Sequence, residues 1–207
     1  MRYESLIFDI DGTLWDSREL IAEGWNICLR REGLDHLCVT AEILTSLFGK
    51  VAEEIADVLF PSIPRPDRYD LMRRCTADET RHMENDPCRI GYPGVRETIE
   101  ALAKKHRIFI VSNSESGYPQ LCIEKLDLAP FVSGHLCHGD TGKSKGQTLR
   151  ILMAEHNITD CVYIGDTHGD ELACREAGIP FIYAAYGLGQ AESWTAKIDA
   201  ITDLLGM

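Results

Sequence analysis

The 207-residue chain has no apolar run approaching the roughly 18 residues that a membrane-spanning helix needs, so no membrane segment is expected. Positive charge is scarce. Lys and Arg number 21 against 33 Asp and Glu, a formal net charge of -12. That deficit excludes general binding to a nucleic-acid backbone, which requires a basic face, while leaving room for a local basic pocket around a small anion. Closely spaced cysteines are also lacking. Cys28, Cys38, Cys75, Cys88, Cys122, Cys137, Cys161 and Cys174 include no C-x-x-C pair, and Cys137-His138 has no partners at ligand spacing. Neither a disulfide scaffold nor a soft-metal cluster is expected, and the thiols read as reduced packing residues. There is no signal-peptide hydrophobic segment, so a cytoplasmic protein is expected. What is present is a hydrophobic fraction of 44%, enough for an ordered core. The length suits one domain plus an insertion.

The most informative run is Asp9-Ile10-Asp11-Gly12-Thr13, which follows the apolar stretch Leu6-Ile7-Phe8. The stretch reads as a buried strand. On a continuing strand, residues i and i+2 share a face, so both carboxylates would enter one crevice. One can attack phosphorus, the other can move a proton, and together they can hold a divalent cation.

From residue 90 onward, short apolar strands alternate with helical periodicity. Helices are expected over 94–105, 118–126, 145–156, 170–177 and 198–205, and strands over 107–112, 131–137, 161–165 and 180–184. This alternation predicts an α/β fold with a doubly wound parallel sheet covered on both faces. Ligands of such sheets sit beyond the carboxyl ends of the strands, where Asp9, Ser112 and Asp166 fall. Between residues 16 and 86 helical periodicity dominates, first through Leu20, Ile21, Trp25 and Leu29, then through Ile43, Leu47, Val51, Ile55 and Leu59. A third helix is expected over 69–83, and Pro61, Pro64 and Pro66 break the middle. The expected division is a core of 1–15 and 87–207 with an inserted α-helical domain of 16–86.

Three further stretches complete a set suited to phosphoryl transfer. Ser112-Asn113 offers hydroxyl and amide groups to phosphoryl oxygens. Thr141-Gly142-Lys143-Ser144-Lys145-Gly146, at a helix start, offers a lysine to phosphate charge. Gly165-Asp166-Thr167-His168-Gly169-Asp170 offers acids for a cation site. Four such stretches in this order resemble the haloacid dehalogenase superfamily of phosphatases. The helical insertion after the first resembles the cap of that family's phosphoglycolate phosphatase and β-phosphoglucomutase branch.

The resemblance implies a role for each residue. Asp9 would be the nucleophile and Asp11 the general acid and base. Thr13, Ser112, Asn113 and Lys145 would contact the phosphoryl group, with Lys145 preferred over Lys143. Mg²⁺ would be held by Asp9, Asp11 (through its backbone carbonyl) and Asp166, with Asp170 orienting Lys145 or completing the outer shell. Lys50 lies where related caps present a specificity loop and is a candidate substrate contact. His168 is expected to be an exposed loop residue, and Trp15 and Trp25 to be packing residues. The implied activity is Mg²⁺-dependent hydrolysis of a small phosphorylated metabolite by a monomer or weak dimer. The alternatives are a β-phosphoglucomutase-like mutase and a non-catalytic phospho-ligand binding or signalling module. A dehalogenase or phosphonatase is disfavoured because Asp11 is present.

Overall fold

The computed structural model describes residues 2–87 and 90–207. Met1, Cys88 and Arg89 lie outside the described residues. Strand β1 (Ser5–Phe8) is followed by four helices, α1 (Arg18–Arg31), α2 (Ala41–Thr45), α3 (Ala52–Leu59) and α4 (Asp67–Asn85). Alternation then begins: α5 (Val95–Ala103), β2 (Arg107–Ser112), α6 (Tyr118–Lys125), β3 (Val132–Cys137), α7 (His138–Thr141), α8 (Lys145–Glu155), β4 (Cys161–Gly165), α9 (His168–Ala177), β5 (Phe181–Ala184) and β6 (Ala196–Ile198). A short 3₁₀ helix, Ile201–Gly206, closes the chain. The chain divides into two compact units, Met1–Asp16 with Arg89–Met207, and Ser17–Cys88.

In the first unit six strands form one parallel sheet in the order β3-β2-β1-β4-β5-β6. Every residue of β1 and β4 is buried, as expected for strands covered on both faces. Ile7, Phe109, Val111 and Tyr163 of the sheet pack with Leu149 and Leu152 of α8. The strand order reverses between β1 and β4, and a crevice beyond the carboxyl ends is expected at such a reversal. The register sets Phe8 opposite both Ile110 and Ile164, so the segments that follow β1, β2 and β4 leave the sheet nearly level.

One local expectation fails in this unit. Residues 198–205 do not form a helix beginning at Ile198. Ile198 instead ends β6, pairing with Ala184, and the Asp203 carboxylate accepts the Asp199 and Ala200 N–H groups and tightens the chain into a 3₁₀ turn. A three-residue strand is too short to leave a period of two in the sequence. Helix α7, which carries no apolar periodicity, is not anticipated by the sequence pattern. A Cβ at Gly139 would press on the Glu115–Ser116 backbone, and the Gly139 N–H donates to the Ser114 carbonyl at 3.0 Å. The absence of a side chain there lets α7 brace the loop that follows Ser112.

The second unit contains no strand among the described residues. Helices α1 and α4 form its main packing, with the Trp25 indole N–H donating to Glu79 Oε2 at 2.5 Å between buried side chains. The periodicity expected to run from Ile43 to Leu59 breaks at Gly49, which has a φ of 84° and separates α2 from α3. The described cysteines are all free. Among the described residues no helix is long and apolar enough to cross a membrane.

Candidate active site

Asp9 leaves β1 still on the ladder, its N–H donating to the Ile164 carbonyl at 2.9 Å. The strand does not continue to Asp11. Thr13 and Leu14 both donate to the Ile10 carbonyl, at 3.1 and 2.8 Å, and close a tight turn. Gly12 sits in that turn at a φ of 79°, and a Cβ there would collide with the Asp166 carboxylate. Only glycine satisfies both demands. The turn sends Asp9 and Asp11 into separate surroundings.

The surroundings of Asp9 are charged. Lys145, buried at the start of α8, places Nζ 3.0 Å from Asp9 Oδ1 and 2.7 Å from Asp170 Oδ1. Asp170 is held through Oδ2 by the Thr167 N–H at 3.0 Å and hydroxyl at 2.7 Å, the capping box that opens α9. Asp166 Oδ2 accepts the Leu188 and Gly189 N–H groups at 2.8 and 2.9 Å. Its other oxygen, Oδ1, is buried and has no hydrogen-bond partner among the described residues.

Carboxylate oxygens of Asp9, Asp166 and Asp170 all lie within 4.8 Å of one another. Burial, then repulsion from Asp170, raises Asp9 well above the ordinary carboxylate value, against the pull of Lys145. Asp166 rises to about 7, first by burial and then by Asp170, although the two backbone donors oppose the rise. Burial alone would depress Lys145, yet Asp170 and Asp9 outweigh it and hold the ammonium charged. Three buried carboxylates against one ammonium make a hard-oxygen set with surplus negative charge. Together with the orphaned Asp166 Oδ1, that set fits a small divalent cation.

Asp11 meets aromatic donors. Its Oδ1 accepts the Trp15 indole N–H at 2.8 Å and the Tyr118 hydroxyl at 2.7 Å. The two rings meet edge to face, with centroids 5.6 Å apart.

With this geometry in place, comparison with known proteins is informative. A family model described as haloacid dehalogenase-like hydrolase matches residues 6–184. The chain belongs to this family. The phosphoglycolate phosphatase of Xanthomonas campestris pv. campestris (strain 8004) is 28% identical over 96% of this chain and 92% of its own length. That of Agrobacterium fabrum (strain C58 / ATCC 33970) is 27% identical over 95% of this chain and 87% of its own. Among solved structures, a predicted phosphoglycolate phosphatase from Haemophilus somnus 129pt superposes with a TM-score of 0.86 at 18% identity, covering 100% of this chain and 98% of its own. CbbY from Rhodobacter sphaeroides, in complex with phosphate, superposes with a TM-score of 0.77 at 19% identity, covering 98% of this chain and 96% of its own. At such identities the structures speak for the fold alone. The family match and the curated relatives support a phosphatase of the branch that includes phosphoglycolate phosphatase.

The haloacid dehalogenase-like core brings together most of the residues singled out from the sequence. Asp9, Lys145, Asp166 and Asp170 form one network, and Lys143 stays exposed. Ser112 ends β2 and is buried, its Oγ accepting the Ser114 N–H at 3.2 Å, with half-buried Asn113 next in the chain. Thr13 is buried, with its hydroxyl unpartnered among the described residues and its carbonyl accepting the Tyr186 hydroxyl at 2.7 Å. The Asp11 side chain does not join the acidic cluster. Lys50 is exposed in the helical unit, after the Gly49 turn. His168 is exposed but opens α9 rather than lying in a loop, and it meets Glu171 at 3.1 Å.

Sequence reasoning missed three contributions. Trp15, read as packing, is a hydrogen-bond donor to Asp11, and Tyr118 was not singled out. The loop Gly187-Leu188-Gly189 after β5 supplies the donors to Asp166, and a glycine pair just beyond a strand end was the available signal. Nothing in the sequence pointed to Tyr118, which is 107 residues from Asp11.

Proposed function

We propose that this chain is a Mg²⁺-dependent phosphatase that hydrolyses a small phosphate monoester through an aspartyl phosphate on Asp9. The observation that carries the reading is the buried Asp9–Lys145–Asp170 network beside Asp166 at the strand-order reversal. Asp9 and Asp166, with the backbone carbonyl of Asp11, would hold the cation, and Asp170 stands behind Lys145. When bound, the cation supplies positive charge that relieves repulsion between an anionic nucleophile and an anionic phosphate.

The chain's own residues then account for two steps. An Asp9 carboxylate oxygen attacks phosphorus, the bond from phosphorus to the leaving oxygen breaks, and that oxygen takes its proton from the Asp11 carboxyl. Asp11, now a carboxylate, removes a proton from water as its oxygen attacks the phosphorus. The bond to Asp9 breaks, giving inorganic phosphate and the starting nucleophile. Lys145 keeps positive charge against Asp9 and the phosphoryl oxygens, and Ser112, Asn113 and Thr13 bind those oxygens. Residues 16–86 take the role of a cap whose side chains, Lys50 among them, select the substrate. The relatives named phosphoglycolate phosphatase favour a phosphoglycolate-like substrate class over sugar phosphates and nucleotides.

The test is phosphate release from 2-phosphoglycolate, sugar phosphates and nucleoside monophosphates, with Mg²⁺ and with chelator. Release that requires the metal is the expected result. Turnover unaffected by chelator removes the metal-dependent mechanism. Interconversion of sugar phosphates without release assigns the same site to a mutase.

A further inference from the structure

Asp11 has to carry a proton in both steps, and it accepts from two side chains outside the four stretches singled out from the sequence. The Trp15 indole N–H and the Tyr118 hydroxyl converge on the same oxygen, Oδ1, at 2.8 and 2.7 Å. They arrive from the two separate segments of the first unit, Trp15 from the turn after β1 and Tyr118 from the first residue of α6. Trp15 is fully buried and Tyr118 is 7% exposed, so neither donor swings freely. Their edge-to-face contact braces one ring against the other. Tyr118 is further fixed by its place at the start of α6, after Gly117 at a φ of 90°.

We infer that Trp15 and Tyr118 are positioning residues for Asp11, a two-donor clamp that fixes the plane of its carboxyl group for proton transfer to the leaving oxygen. The inference rests on the phosphatase reading above. Two converging donors on one oxygen set both side-chain torsions of a short carboxylate, which a single donor does not. The clamp therefore holds Asp11 in place, which a group that must meet the leaving oxygen in one orientation requires.

Leaving-group dependence separates this role from simple packing. An alkoxide leaving from an alkyl phosphate needs the proton as its bond breaks, whereas 4-nitrophenolate departs without one. The experiment measures kcat/KM with Mg²⁺ for the best alkyl substrate of the panel and for 4-nitrophenyl phosphate, in Tyr118→Phe, Trp15→Phe, the double variant and Asp11→Asn. Thermal melting is followed for each. Tyr118→Phe keeps the ring and its packing. It is expected to lower the alkyl-to-aryl ratio of kcat/KM about tenfold, the rate equivalent of one ordinary hydrogen bond. Trp15→Phe is expected to act in the same direction, and the double variant to approach Asp11→Asn. Equal loss on both esters, or no loss on either, overturns the clamp. If Asp11→Asn itself leaves the ratio unchanged, the acid role of Asp11 falls and takes the clamp with it. If the wild-type protein hydrolyses neither ester, it is the phosphatase reading that has failed.

Discussion

Asp9 and Asp11 stand two residues apart in the chain and meet different partners. Asp9 is locked to Lys145 inside a buried cluster with Asp166 and Asp170. Asp11 is held by an indole and a phenol. The charged side keeps a cation permanently against the group that attacks, and it concentrates more negative charge than its lysine balances. On the other side, the indole and the phenol set the position of Asp11. Identical side chains thus acquire different reactivity from their surroundings, the logic by which a nucleophile and a proton carrier are told apart in one site.

The largest effect expected from breaking this comparison is at Asp9. Asp9→Asn removes the attacking oxygen, and phosphate release should fall by about 10⁴-fold or more, as for loss of a nucleophile elsewhere. The substitution also removes one of three mutually repelling buried acids. The melting temperature of metal-free protein should therefore hold or rise. A variant that melts well below wild type would instead make Asp9 a structural residue. Asp11→Asn should cost less, about 10²- to 10⁴-fold on an alkyl phosphate, the usual span for a general acid or base. Its amide oxygen can still accept from Trp15 and Tyr118, so a folded protein is expected by circular dichroism. Near-normal turnover would remove Asp11 from the proton-transfer role.

Lys145→Met sharpens the contrast from the other side. It strips the Lys145 ammonium from the cluster and strands Asp9 and Asp170. Breaking a buried pair by removing one partner costs roughly 3 to 5 kcal/mol. Urea unfolding in chelator should show most of that loss, and Mg²⁺ should recover part of it. An unchanged midpoint would mean the acids simply protonate or hydrate when the lysine is gone.

The same two sides differ in how far they could be read from sequence. The charged side was legible because each acid or lysine follows an apolar strand or opens a helix. Asp9, Asp166, Asp170 and Lys145 could be marked by type and place alone. The alternation of β2, α6, β3, α8 and β4 was legible for the same reason, since each strand is a short apolar run. The side around Asp11 was not legible. Tyr118 meets Asp11 only because β2 lies beside β1 and α6 begins just beyond it, a proximity that no local pattern encodes. Trp15 was ambiguous because a buried indole serves packing and hydrogen bonding alike. β6 and α7 were missed because each is set by a few hydrogen bonds, Asp203 on Asp199 and Ala200 in one case and Gly139 on Ser114 in the other.

The smallest expected effect, a pH slope, belongs to the charged side. Asp9 and Asp166 both rise above their ordinary value of 3.8, Asp166 to about 7. Between those values the folded metal-free protein retains protons that the unfolded chain has released. Stability from these groups is therefore greatest at and below about 4 and is lost as pH climbs through about 7. Glu42, Asp57, Asp140 and Glu171 shift the other way, and their contributions change only below their ordinary values of 3.8 to 4.5. The cluster acts across the window from about 5 to 7. Melting in chelator should drop by a few degrees across it, and excess Mg²⁺ should flatten or reverse the slope by replacing the protons. Asp166→Asn should flatten it without metal. A chelator curve that rises over this window, in wild type and variant alike, would show that the cluster is ionised and balanced in the free protein and that its acids do not compete for protons.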